Sequence, residues 1–597
     1  MCVHVRTSTL LLAAGFPLVA EPVAQARQPV DLPFPEAIAA RELDGTIGFS
    51  FIGEAESEAG EVVSSVGDIN GDGIDDLAIG AFSVDFGGTP RVSAIYVVFG
   101  SADPEAFTPG VSFADLDGER GFRFGSSSDE EAIATALAPA GDVNGDGIDD
   151  LFVGDSGYGS GGRVYLLFGR SGASAFPASF TTADLGPTDV IRINGDAPHA
   201  RAGAVVASAG DVNGDGFGDV LIGAPYAMVG GSRSAGSTYV VFGPDPALPI
   251  PPVIELAGLD GTNGFRIDGT ISYSNSGRVI SSAGDLNGDG VDDVIIGVDE
   301  ARPDGREGAG SAYVVYGRSD GSAFPAVMSL EDVDGTNGFR LDGVLAFDGA
   351  GSAVAPAGDV NADGLDDVIV GASLADVGGR TRCGASYVVF GRHESESFPP
   401  VLPLARLNGR TGFRIEGVTS RDYAGTSVAG AGDLNGDGID DVVIGAIGGD
   451  AGGRPSSGET YVVFGRREGE FSFRVLLADL DGSDGFRLDG ARQNELSGTS
   501  VSTAGDVNAD GVGDVMVSAP FTRPSGGVIV GEVYIVYGRS APCLPDLDGD
   551  GELTLFDFLE FQNLFDAGDD RADFDEDGRL TLFDFLAFQN AFDAGCG

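Results

Sequence analysis

The sequence contains no lysine and no tryptophan, and it has only three histidines in 597 residues. Without lysine, Schiff-base chemistry and a lysine general base are excluded. His4 lies in an N-terminal segment that we expect to be removed, and His199 and His393 stand in the polar sequences "DAPHARAG" and "GRHESE". Two histidines leave little material for acid–base catalysis. We therefore expect both to be ordinary surface residues and the chain not to be an enzyme.

Cysteine is also scarce, with four residues and no CxxC pair, which argues against a metal–thiolate site. Cys2 belongs to the N-terminal segment, and Cys383 has no evident partner. Cys543 and Cys596 bracket the last part of the chain. In an oxidising compartment we expect them to form a disulfide. The alternative leaves Cys596 free as an attachment point at the cell surface.

Positive charge is limited to arginine. The 34 arginines face 92 Asp and Glu residues, and the formal net charge is −58. Such a surface repels nucleic acid and anionic membranes, so we expect neither as a partner, and it attracts divalent cations. The 97 glycines together with 42% hydrophobic residues indicate many short strands and tight turns rather than disorder.

The N-terminus has the composition of a signal peptide. Arg6 precedes an apolar stretch, and Ala24-Gln25-Ala26 has the small-x-small form of a cleavage site. We assign residues 1–26 to this signal, with a buried N-terminal helix as the alternative. Later apolar runs are too short to span a bilayer, so we expect an exported protein that is secreted or associated with the cell surface.

An acidic loop such as "GDVNGDGIDD" (residues 141–150) recurs seven times, at intervals of 69 to 74 residues. A β-branched run follows each loop directly, and a segment such as "YVVFG" follows about 25 residues later. These short apolar runs are typical of strands, about four in each unit. Seven four-stranded units favour a closed β-propeller over residues 27–541, in which the early segment "LPFPEAIAARELDGTIGFSFIG" pairs with the last unit. A solenoid is the rival architecture, but it would need capping repeats.

The loop pattern is D-x-N-x-D-G-x-x-D, and it predicts a shell of hard oxygen ligands of the size that Ca²⁺ takes. Positions one, three, five and nine supply side-chain oxygens, and position seven supplies its carbonyl. A dication would neutralise carboxylates that otherwise repel one another. The alternative is a set of acidic β-turns, because Asp-Gly and Asn-Gly are ordinary turn formers. Gly218 and Gly513 replace an Asp at position eight, which we take as non-ligating.

The predicted calcium ligands of the seven loops fall into five groups by position. The first position is Asp68, Asp142, Asp211, Asp285, Asp359, Asp433 and Asp506. The third is Asn70, Asn144, Asn213, Asn287, Asn361, Asn435 and Asn508. The fifth is Asp72, Asp146, Asp215, Asp289, Asp363, Asp437 and Asp510. The seventh is Ile74, Ile148, Phe217, Val291, Leu365, Ile439 and Val512. The ninth is Asp76, Asp150, Asp219, Asp293, Asp367, Asp441 and Asp514.

The order "GFR…G", "GDxNGDGxxDxxIGAP" and "YVVFG" resembles the FG-GAP repeats of the N-terminal propeller of integrin alpha chains. The resemblance implies a calcium-stiffened binding scaffold. Unlike integrin alpha chains, which carry the metal loop in only some blades, this chain has it in all seven units. No leg domain, inserted adhesion domain or membrane anchor is evident, so a signalling receptor is not implied.

The last segment, residues 542–597, contains two similar halves, each with a twelve-position acidic loop followed by an apolar helical pattern. The predicted ligands are Asp546, Asp548, Asp550, Glu552 (through its carbonyl) and Asp557, with Thr554 acting through water, and then Asp573, Asp575, Asp577, Arg579 (through its carbonyl) and Asp584, with Thr581 in the place of Thr554. This duplicated EF-hand-like arrangement resembles a type I dockerin, and the terminal Gly-Cys resembles the GC-type modules of exported bacterial proteins.

The dockerin resemblance implies a protein partner for this module, either cohesin-like or a surface receptor. The abundance of Phe and Leu agrees with a docking face. Leu555-Phe556 and Leu582-Phe583 differ from the small or hydroxyl residues common at these positions in cellulosomal dockerins, which argues against a true cellulosome. A small calcium-stabilised cap without a partner is the alternative.

Each propeller unit also carries one arginine in the Gly-rich stretch between the acidic loop and "YVVFG". These are Arg91, Arg163, Arg233, Arg306, Arg380, Arg454 and Arg523. Equivalent positions in a propeller lie on one ring, so we expect either pairing with neighbouring carboxylates or a ring that binds acidic glycans.

We therefore predict a mostly β protein, a seven-bladed propeller followed by a small α-helical dockerin-like module, that binds about nine Ca²⁺ ions. We expect it to act in adhesion or ligand binding, with an acidic glycan or a protein as the propeller ligand. The alternative is a polysaccharide-degrading enzyme or an accessory component of a cohesin–dockerin complex.

Overall fold

A computed structural model describes most of the chain after residue 33. The described residues are 34–86, 89–103, 106–107, 111–128, 130–157, 161–172, 176–245, 250–319, 321–393, 396–467, 469–524, 527–539, 547, 554–567, 570–572, 574 and 579–594. Contacts divide the chain into a compact unit spanning Leu32–Ala541 and a second unit that includes Pro542–Gly597. The expected signal segment, both cysteines of the expected disulfide and most of the terminal acidic loops lie outside the described residues.

The larger unit is built from seven five-stranded sheets. In each sheet four strands run antiparallel, and a short fifth strand runs parallel to the fourth at the outer edge. We number the blades by their acidic loops, from Asp68 in blade 1 to Asp506 in blade 7. The prediction of a mostly β, seven-bladed propeller is confirmed.

The strands of blades 1 to 7 occupy five positions, counted from the innermost outward. The first strands are Val63–Gly67, Ala136–Gly141, Val205–Gly210, Val279–Gly284, Ala353–Gly358, Ala424–Gly432 and Val501–Gly505. The second strands are Asp76–Phe86, Asp150–Asp155, Asp219–Ala224, Asp293–Val298, Asp367–Ala372, Asp441–Ala446 and Asp514–Ala519. The third strands are Thr89–Val98, Arg163–Leu167, Ser237–Val241, Ser311–Val315, Ala385–Val389, Glu459–Val463 and Glu532–Val536.

The outer two positions complete each blade. The fourth strands are Gly121–Gly125, Val190–Asn194, Gly264–Asp268, Gly338–Asp342, Gly412–Glu416, Gly485–Asp489 and Gly48–Ile52. The fifth strands are Ser179–Thr181, Val253–Glu255, Val327–Ser329, Val401–Pro403, Arg474–Leu476, Ala37–Ala39 and Val111–Ser112. A single 3₁₀ turn follows each fifth strand: Thr182–Asp184, Leu256–Gly258, Leu330–Asp332, Leu404–Arg406, Leu477–Asp479, Ala40–Glu42 and Phe113–Asp115.

The N-terminal part of the propeller closes the ring. Gly48–Ile52 pairs antiparallel with Glu532–Val536 and so becomes the fourth strand of blade 7. Ala37–Ala39 pairs parallel with Gly485–Asp489 in blade 6. The expected pairing of the early segment with the last unit is therefore confirmed, and the solenoid alternative is wrong because the first and last units of the chain share a sheet.

Burial explains why these residues form sheets. In blades 2 to 7 every residue of the second strand is buried, because neighbouring blades cover both faces. Phe339 of blade 4 and Val370 of blade 5 belong to one apolar cluster. Phe49 and Phe51 of blade 7 pack with Ile79 of blade 1 in another. The core thus lies between the blades.

The fifth strand is an element that the sequence pattern did not predict. Its position is set by an aromatic pair, in which a Phe shortly before it stacks on the Phe of the "GF" fourth strand. In blade 3, the ring centroids of Phe324 and Phe265 are 4.3 Å apart, and in blade 4, those of Phe398 and Phe339 are 4.0 Å apart. The recurring "AFP" and "FP" sequences contain these Phe residues, and they are the feature of the sequence that could have indicated the fifth strand.

In the second unit, the structure places two α-helices, α1 (Leu555–Ala567) and α2 (Leu582–Ala594), together with a 3₁₀ turn at Asp570–Ala572. Phe561 of α1 and Phe588 of α2 stack with ring centroids 4.4 Å apart. The predicted helix after each terminal loop is confirmed. In the described residues, neither helix combines the length and apolarity that crossing a bilayer requires.

Candidate metal-binding loops

Each acidic loop connects the first and second strands of its blade, and its first Asp organises the turn. In blade 1, Asp68 Oδ1 accepts hydrogen bonds from the N–H groups of Gly71 (2.7 Å) and Asp72 (2.9 Å). Asp68 Oδ2 accepts one from Gly73 N–H (2.7 Å). The loop residues therefore wrap their amides around one carboxylate.

The same frame recurs in all seven blades. The first Asp accepts from the amide four residues later and from the amide five residues later. The Asp at position five accepts from the amide at position seven. Seven independent copies of one hydrogen-bond pattern show that the repeated sequence encodes one repeated loop geometry.

The ninth Asp lies at the start of the second strand and is buried in every blade. In blade 1, Asp76 Oδ2 accepts from Ile69 N–H (3.0 Å), and Asp76 Oδ1 accepts from Gly100 N–H (2.8 Å). Gly100 closes the "YVVFG" segment, and the equivalent Gly donates to the ninth Asp in all seven blades. That Gly thus links the third strand to the acidic loop.

Burial raises the pKa of these ninth-position carboxyls. Burial, with a smaller contribution from the nearby carboxylates of the same loop, raises the pKa of Asp76 to about 8 and that of Asp150 to about 7, against the lowering effect of main-chain hydrogen bonds. The pKa of Asp293 is likewise held well above its usual range, mainly by desolvation. A buried carboxyl in this setting is stable either as the neutral acid or as a carboxylate beside a cation.

Two side-chain amide oxygens at loop position three agree better with a bound cation than with a neutral acid at position nine. Within the described part of the chain, the buried Oδ1 atoms of Asn213 and Asn361 have no hydrogen-bond partner, and Asn361 is fully buried. An amide oxygen in this position is an expected calcium ligand. Carboxylate, amide and main-chain oxygens together form a donor set that fits a hard dication and offers no nitrogen or sulfur to a softer one.

The carboxylates alone do not make up a complete metal-binding group. Among the described residues, no three His, Cys, Asp or Glu side chains are gathered into a metal-holding group. Each first and ninth Asp is engaged by main-chain N–H groups instead. A calcium site here would combine these carboxylates with the Asn and carbonyl oxygens, and calcium binding by the predicted ligands stays a prediction.

Position eight carries a contact that the sequence pattern did not predict. Asp149 of blade 2 accepts a hydrogen bond at Oδ2 from Asp68 N–H of blade 1, at 2.9 Å. The same inter-blade contact joins Asp292 to Asp211, Asp366 to Asp285, Asp440 to Asp359 and Asp75 to Asp506. We call these five carboxylates the inter-blade clips. Asp75 carries the pattern across the closure of the ring.

The two remaining junctions have glycine at position eight. By their place in the repeat, Gly218 and Gly513 occupy the positions from which a clip would reach the amides of Asp142 and Asp433. A Cβ built on the preceding Gly141 or Gly432 meets nothing within 4 Å, whereas one built on Gly67 would lie 2.1 Å from the carboxylate of Asp149. The loop pattern alone assigns position eight no role, because its partner lies in another blade.

In the C-terminal unit, the structure describes three of the predicted side-chain and carbonyl ligands, Asp557, Arg579 and Asp584. Asp557 and Asp584 are fully buried in the first helical turns. Asp557 accepts from Leu547 N–H and Thr554 N–H, both at 2.8 Å. Asp557 therefore joins the preceding loop to its helix. Arg579 is exposed, and Thr554 and Thr581, predicted to act through water, are partly buried. The remaining predicted ligands of these two loops lie outside the described residues.

The structure divides the seven predicted ring arginines into two groups. Arg163 pairs with Asp155 (2.8 Å) and Arg380 with Glu416 (3.1 Å). Arg306 and Arg454 donate to main-chain carbonyls of Gly343 and Gly490. Arg306 also pairs with Asp304 at 3.3 Å. Pairing with a carboxylate is thus seen for Arg163, Arg306 and Arg380, and the seven arginines do not share one environment. The other three, Arg91, Arg233 and Arg523, are exposed. His199 and His393 are exposed as well, as the sequence suggested.

The family model described as "FG-GAP repeat" matches six segments of the chain, residues 59–98, 134–167, 202–241, 277–315, 350–389 and 424–463. Each segment covers the first to the third strand of one blade, with the acidic loop between the first two strands. Six blades of this chain match the FG-GAP repeat. The match covers blades 1 to 6, and blade 7 lies outside the matched residues although it has the same loop.

Two groups of curated proteins share this region. Phosphatidylinositol-glycan-specific phospholipase D of Rattus norvegicus is 31% identical over 234 residues, covering 37% of this chain and 25% of that protein. Integrin alpha pat-2 of Caenorhabditis briggsae is 28% identical over 253 residues, covering 42% of this chain and 18% of that protein. Integrin alpha-5 of Xenopus laevis is 28% identical, covering 39% and 20%. The chain thus spans a quarter or less of the length of these relatives.

A solved structure, the Vibrio cholerae biofilm matrix protein Bap1, covers 82% of this chain and 87% of its own, at 10% identity and a TM-score of 0.20. This likeness is too weak to bear on the fold or the function.

Proposed function

We propose that the chain is an exported, calcium-binding β-propeller that binds ligands outside the cell or at its surface, and that its C-terminal module tethers it there. The observation that carries the calcium part is the repeated loop frame. In all seven blades the first Asp gathers the loop amides, and the ninth Asp is buried beside it. The shared region with integrin alpha chains supports a binding role.

Calcium gives this acidic chain its rigidity. Seven propeller ions and two terminal ions would bring the formal charge from −58 to about −40. Each ion removes repulsion between carboxylates that the fold holds close together, and its binding free energy adds to the stability of the blade. A stiff ring with short loops is a suitable scaffold for ligand contacts, because little conformational entropy is lost on binding.

Calorimetric titration with Ca²⁺, combined with thermal melts, tests the calcium part. We expect about nine ions per chain and a large fall in Tm when a chelator is added. Asp150→Asn should remove one ion, because Asp150 is the buried ninth ligand of loop 2, whereas Glu300→Gln, an exposed control, should remove none. Fewer than four ions, or a Tm that the chelator does not move, would contradict calcium binding.

The proposed tether rests on apolar residues of the two helices. Leu555, Phe556 and Leu559 of α1 and Leu582 and Leu586 of α2 are exposed, from 44% to 71%. Leu555 corresponds to Leu582 and Leu559 to Leu586 in the two halves, so the duplicated sequence presents the same apolar positions twice. Exposed apolar surface of this kind marks protein interaction sites. The partner proposed from the dockerin resemblance is cohesin-like or a surface receptor.

A binding assay with a cohesin domain as probe tests the tether. Leu559→Asp combined with Leu586→Asp should abolish binding, because each places a charge in the apolar contact. Gln562→Ala, at an exposed polar position of α1, should leave binding unchanged. Failure of the full chain to bind any cohesin domain would contradict the cohesin-like partner and leave a surface receptor as the candidate.

An enzymatic function is the second candidate, as a polysaccharide-degrading enzyme or an accessory component of a cohesin–dockerin complex. The phospholipase D relatives favour it only in that they are named for an activity, and they share a quarter of their length with this chain. Incubation of the calcium-loaded chain with a panel of polysaccharides, followed by reducing-end analysis, decides between the two. Released ends that disappear on substitution of one buried carboxylate outside the loops would establish the enzyme.

A further inference from the structure

The propeller face opposite the acidic loops has a distinct set of exposed side chains. On this face, the loop after each fourth strand leads into the first strand of the next blade. At six junctions the first residue of that loop with a positive φ is Glu56, His199, Tyr273, Phe347, Arg421 or Asn494. In five of these loops a second non-glycine residue with a positive φ follows two positions later, namely Glu58, Arg201, Asn275, Tyr423 and Leu496. We call the six first residues the tip residues. Their order around the ring follows the order in the chain.

Two tip residues are aromatic and exposed where the backbone disfavours them. Tyr273 has φ 65° and Phe347 has φ 68°, and their exposed fractions are 62% and 63%. A bulky residue in the left-handed region is a genuine outlier, whereas Asn, which stands at position 494, is common there. These positions therefore combine an unfavourable backbone with apolar rings in solvent, a combination found where a site has a function.

Neighbouring loops hold both tips in place. Tyr273 N–H donates to the Arg233 carbonyl at 2.8 Å, and Phe347 N–H donates to the Glu307 carbonyl at 2.9 Å. Further exposed apolar side chains in the loops of blades 3 to 5 are Tyr226, Met228, Leu345 and Leu374. The rings thus extend from a fixed backbone, which lowers the entropy cost of binding.

Exposed arginines accompany these rings. Arg233 and Arg382 stand in the loops between the second and third strands of blades 3 and 5, and Arg421 is the tip between blades 5 and 6. The Arg382 carbonyl accepts from Tyr423 N–H at 3.2 Å, so the Arg382 and Arg421 loops lie side by side. Arg201 lies over the Tyr226 ring at 5.0 Å. We call Arg233, Tyr273, Phe347, Arg382 and Arg421 the binding arc.

The other side of the same face is acidic. The tip between blades 7 and 1 is Glu56, and Glu54 and Glu58 stand beside it in sequence. The arc itself combines three exposed arginines with apolar rings, and the exposed carboxylates of Asp304, Glu307 and Asp376 stand in the loops beside them. At physiological ionic strength, charges beyond about 8 Å are largely screened, so contacts within the arc decide what binds there.

We propose that the binding arc holds an anionic polysaccharide, with sugar rings lying on Tyr273 and Phe347 and carboxylate or sulfate groups paired with Arg233, Arg382 and Arg421. A sugar ring has an apolar C–H face that suits an aromatic surface, and an arginine fork suits a planar or tetrahedral anion. This inference rests on the proposed ligand-binding function and names its ligand class.

Titration of the full, calcium-loaded chain with short oligosaccharides tests the proposal. The probes are an oligogalacturonate for carboxylate, a sulfated dextran oligomer for sulfate, and a neutral dextran oligomer of the same length. We expect one or both anionic probes to bind and the neutral one to bind at least about tenfold more weakly. Equal binding of the neutral probe would overturn the anionic ligand. Absence of binding to every probe would overturn the proposal in favour of a protein ligand.

Two double variants locate the site. Tyr273→Asn with Phe347→Asn should weaken binding about tenfold or more and leave Tm unchanged or raised, since Asn is more comfortable at positive φ. Arg382→Gln with Arg421→Gln should weaken binding of the anionic probes by a similar factor. Unchanged affinity in either double variant would overturn the arc as the site.

Matched controls lie elsewhere on the propeller. Phe473→Ser removes an exposed ring beside the fifth strand of blade 5, and Arg410→Gln removes an exposed guanidinium between the third and fourth strands of that blade. Both should bind as the parent does, and equal losses there would overturn the proposal. Calcium titration of the same preparation is a separate readout, so a failure of calcium binding is distinguishable from a failure of glycan binding.

Discussion

Asp149 Oδ2 lies 2.9 Å from the amide nitrogen of Asp68 in the neighbouring blade, so the acidic loop of one blade begins on a carboxylate of the next. The two residues are 81 positions apart in the chain. Five such clips join the seven blades, and glycine replaces the Asp at the other two junctions. The loops predicted to bind calcium are therefore also parts of the blade interfaces.

Removal of one clip tests its contribution. Asp149→Ala should lower the free energy of unfolding by about 1–2 kcal/mol, because Asp68 N–H loses its acceptor. Asp149→Asn keeps an oxygen acceptor and should lower it much less. Chemical denaturation of calcium-loaded protein measures both changes. Equal losses in the two variants would show that the charge of Asp149, and not its hydrogen bond, stabilises the junction.

Addition of a clip tests the glycine junctions. Gly218→Asp should raise the free energy of unfolding by about 1 kcal/mol, through a new acceptor for Asp142 N–H and a less flexible unfolded chain. The space is open, because a Cβ on Gly141 meets nothing within 4 Å. Thermal melts with Ca²⁺ measure the change, with Glu300→Gln as the neutral control. A lower Tm would mean that repulsion from the loop carboxylates outweighs the hydrogen bond.

Ring closure depends on Gly48. This residue has φ 142°, and a Cβ there would lie 2.0 Å from the Ile535 carbonyl oxygen. Gly48→Ala should therefore push the N-terminal strand away from blade 7 and lower the free energy of unfolding by more than about 2 kcal/mol. Gly469→Ala is the matched control. Gly469 has φ 87°, and a Cβ there would meet no atom within 4 Å, so this variant adds backbone strain without a steric clash. Hydrogen exchange in Glu532–Val536 should rise only in the first variant.

The pH dependence of stability should contain a contribution from Glu495. Burial, with a smaller contribution from Glu532, raises the pKa of this carboxyl from 4.5 to about 7, against the lowering effect of Arg492. Tyr534 and Thr522 hydroxyls face the same carboxyl. Because the folded pKa exceeds the unfolded one, the folded state keeps a proton that the unfolded chain releases. This contribution to stability is complete below about pH 4.5 and is lost as pH rises to about 7.

Glu495→Gln removes that titration and keeps one acceptor oxygen, which can retain the bond from the Tyr534 hydroxyl. The Thr522 hydroxyl already donates to the Ala519 carbonyl, so it can accept from the new amide group. The variant should be more stable than the parent above pH 7, by up to about 3 kcal/mol, and similar to it near pH 4.5. Denaturant midpoints measured across this range check the prediction, with Glu300→Gln as the exposed control. Parallel curves for parent and variant would show that Glu495 has an ordinary pKa.

Thiol counting tests the expected terminal disulfide. Cys383 is fully buried in blade 5, and burial raises the pKa of its thiol, so it should be unreactive in the folded chain. Protein from an oxidising compartment, with the signal removed, should expose one thiol after unfolding if Cys543 and Cys596 are bridged. Three reactive thiols would reject the bridge.

The sequence by itself determined what depends on neighbours in the chain. The loop frame around Asp68 uses amides three to five residues away, so one repeated motif gives one repeated geometry in every blade. The alternation of apolar runs and turns likewise indicated the sheets, and the number of repeats indicated the number of blades. Closure also followed from the sequence, because the early "GF" segment had no other unit to join.

Tertiary structure decided what depends on residues brought together from different units. The fifth strands, the clips and the partners of Arg163 and Arg380 all join segments that local patterns treat separately. The exposure of Tyr273 and Phe347 was equally hidden, because a bulky residue in a "GxxSY" or "GVLAF" sequence gives no sign of a positive φ or of which loop fixes its amide. Local hydrogen bonds depend on residues that are close in the sequence, whereas contacts between blades form only when the ring has closed.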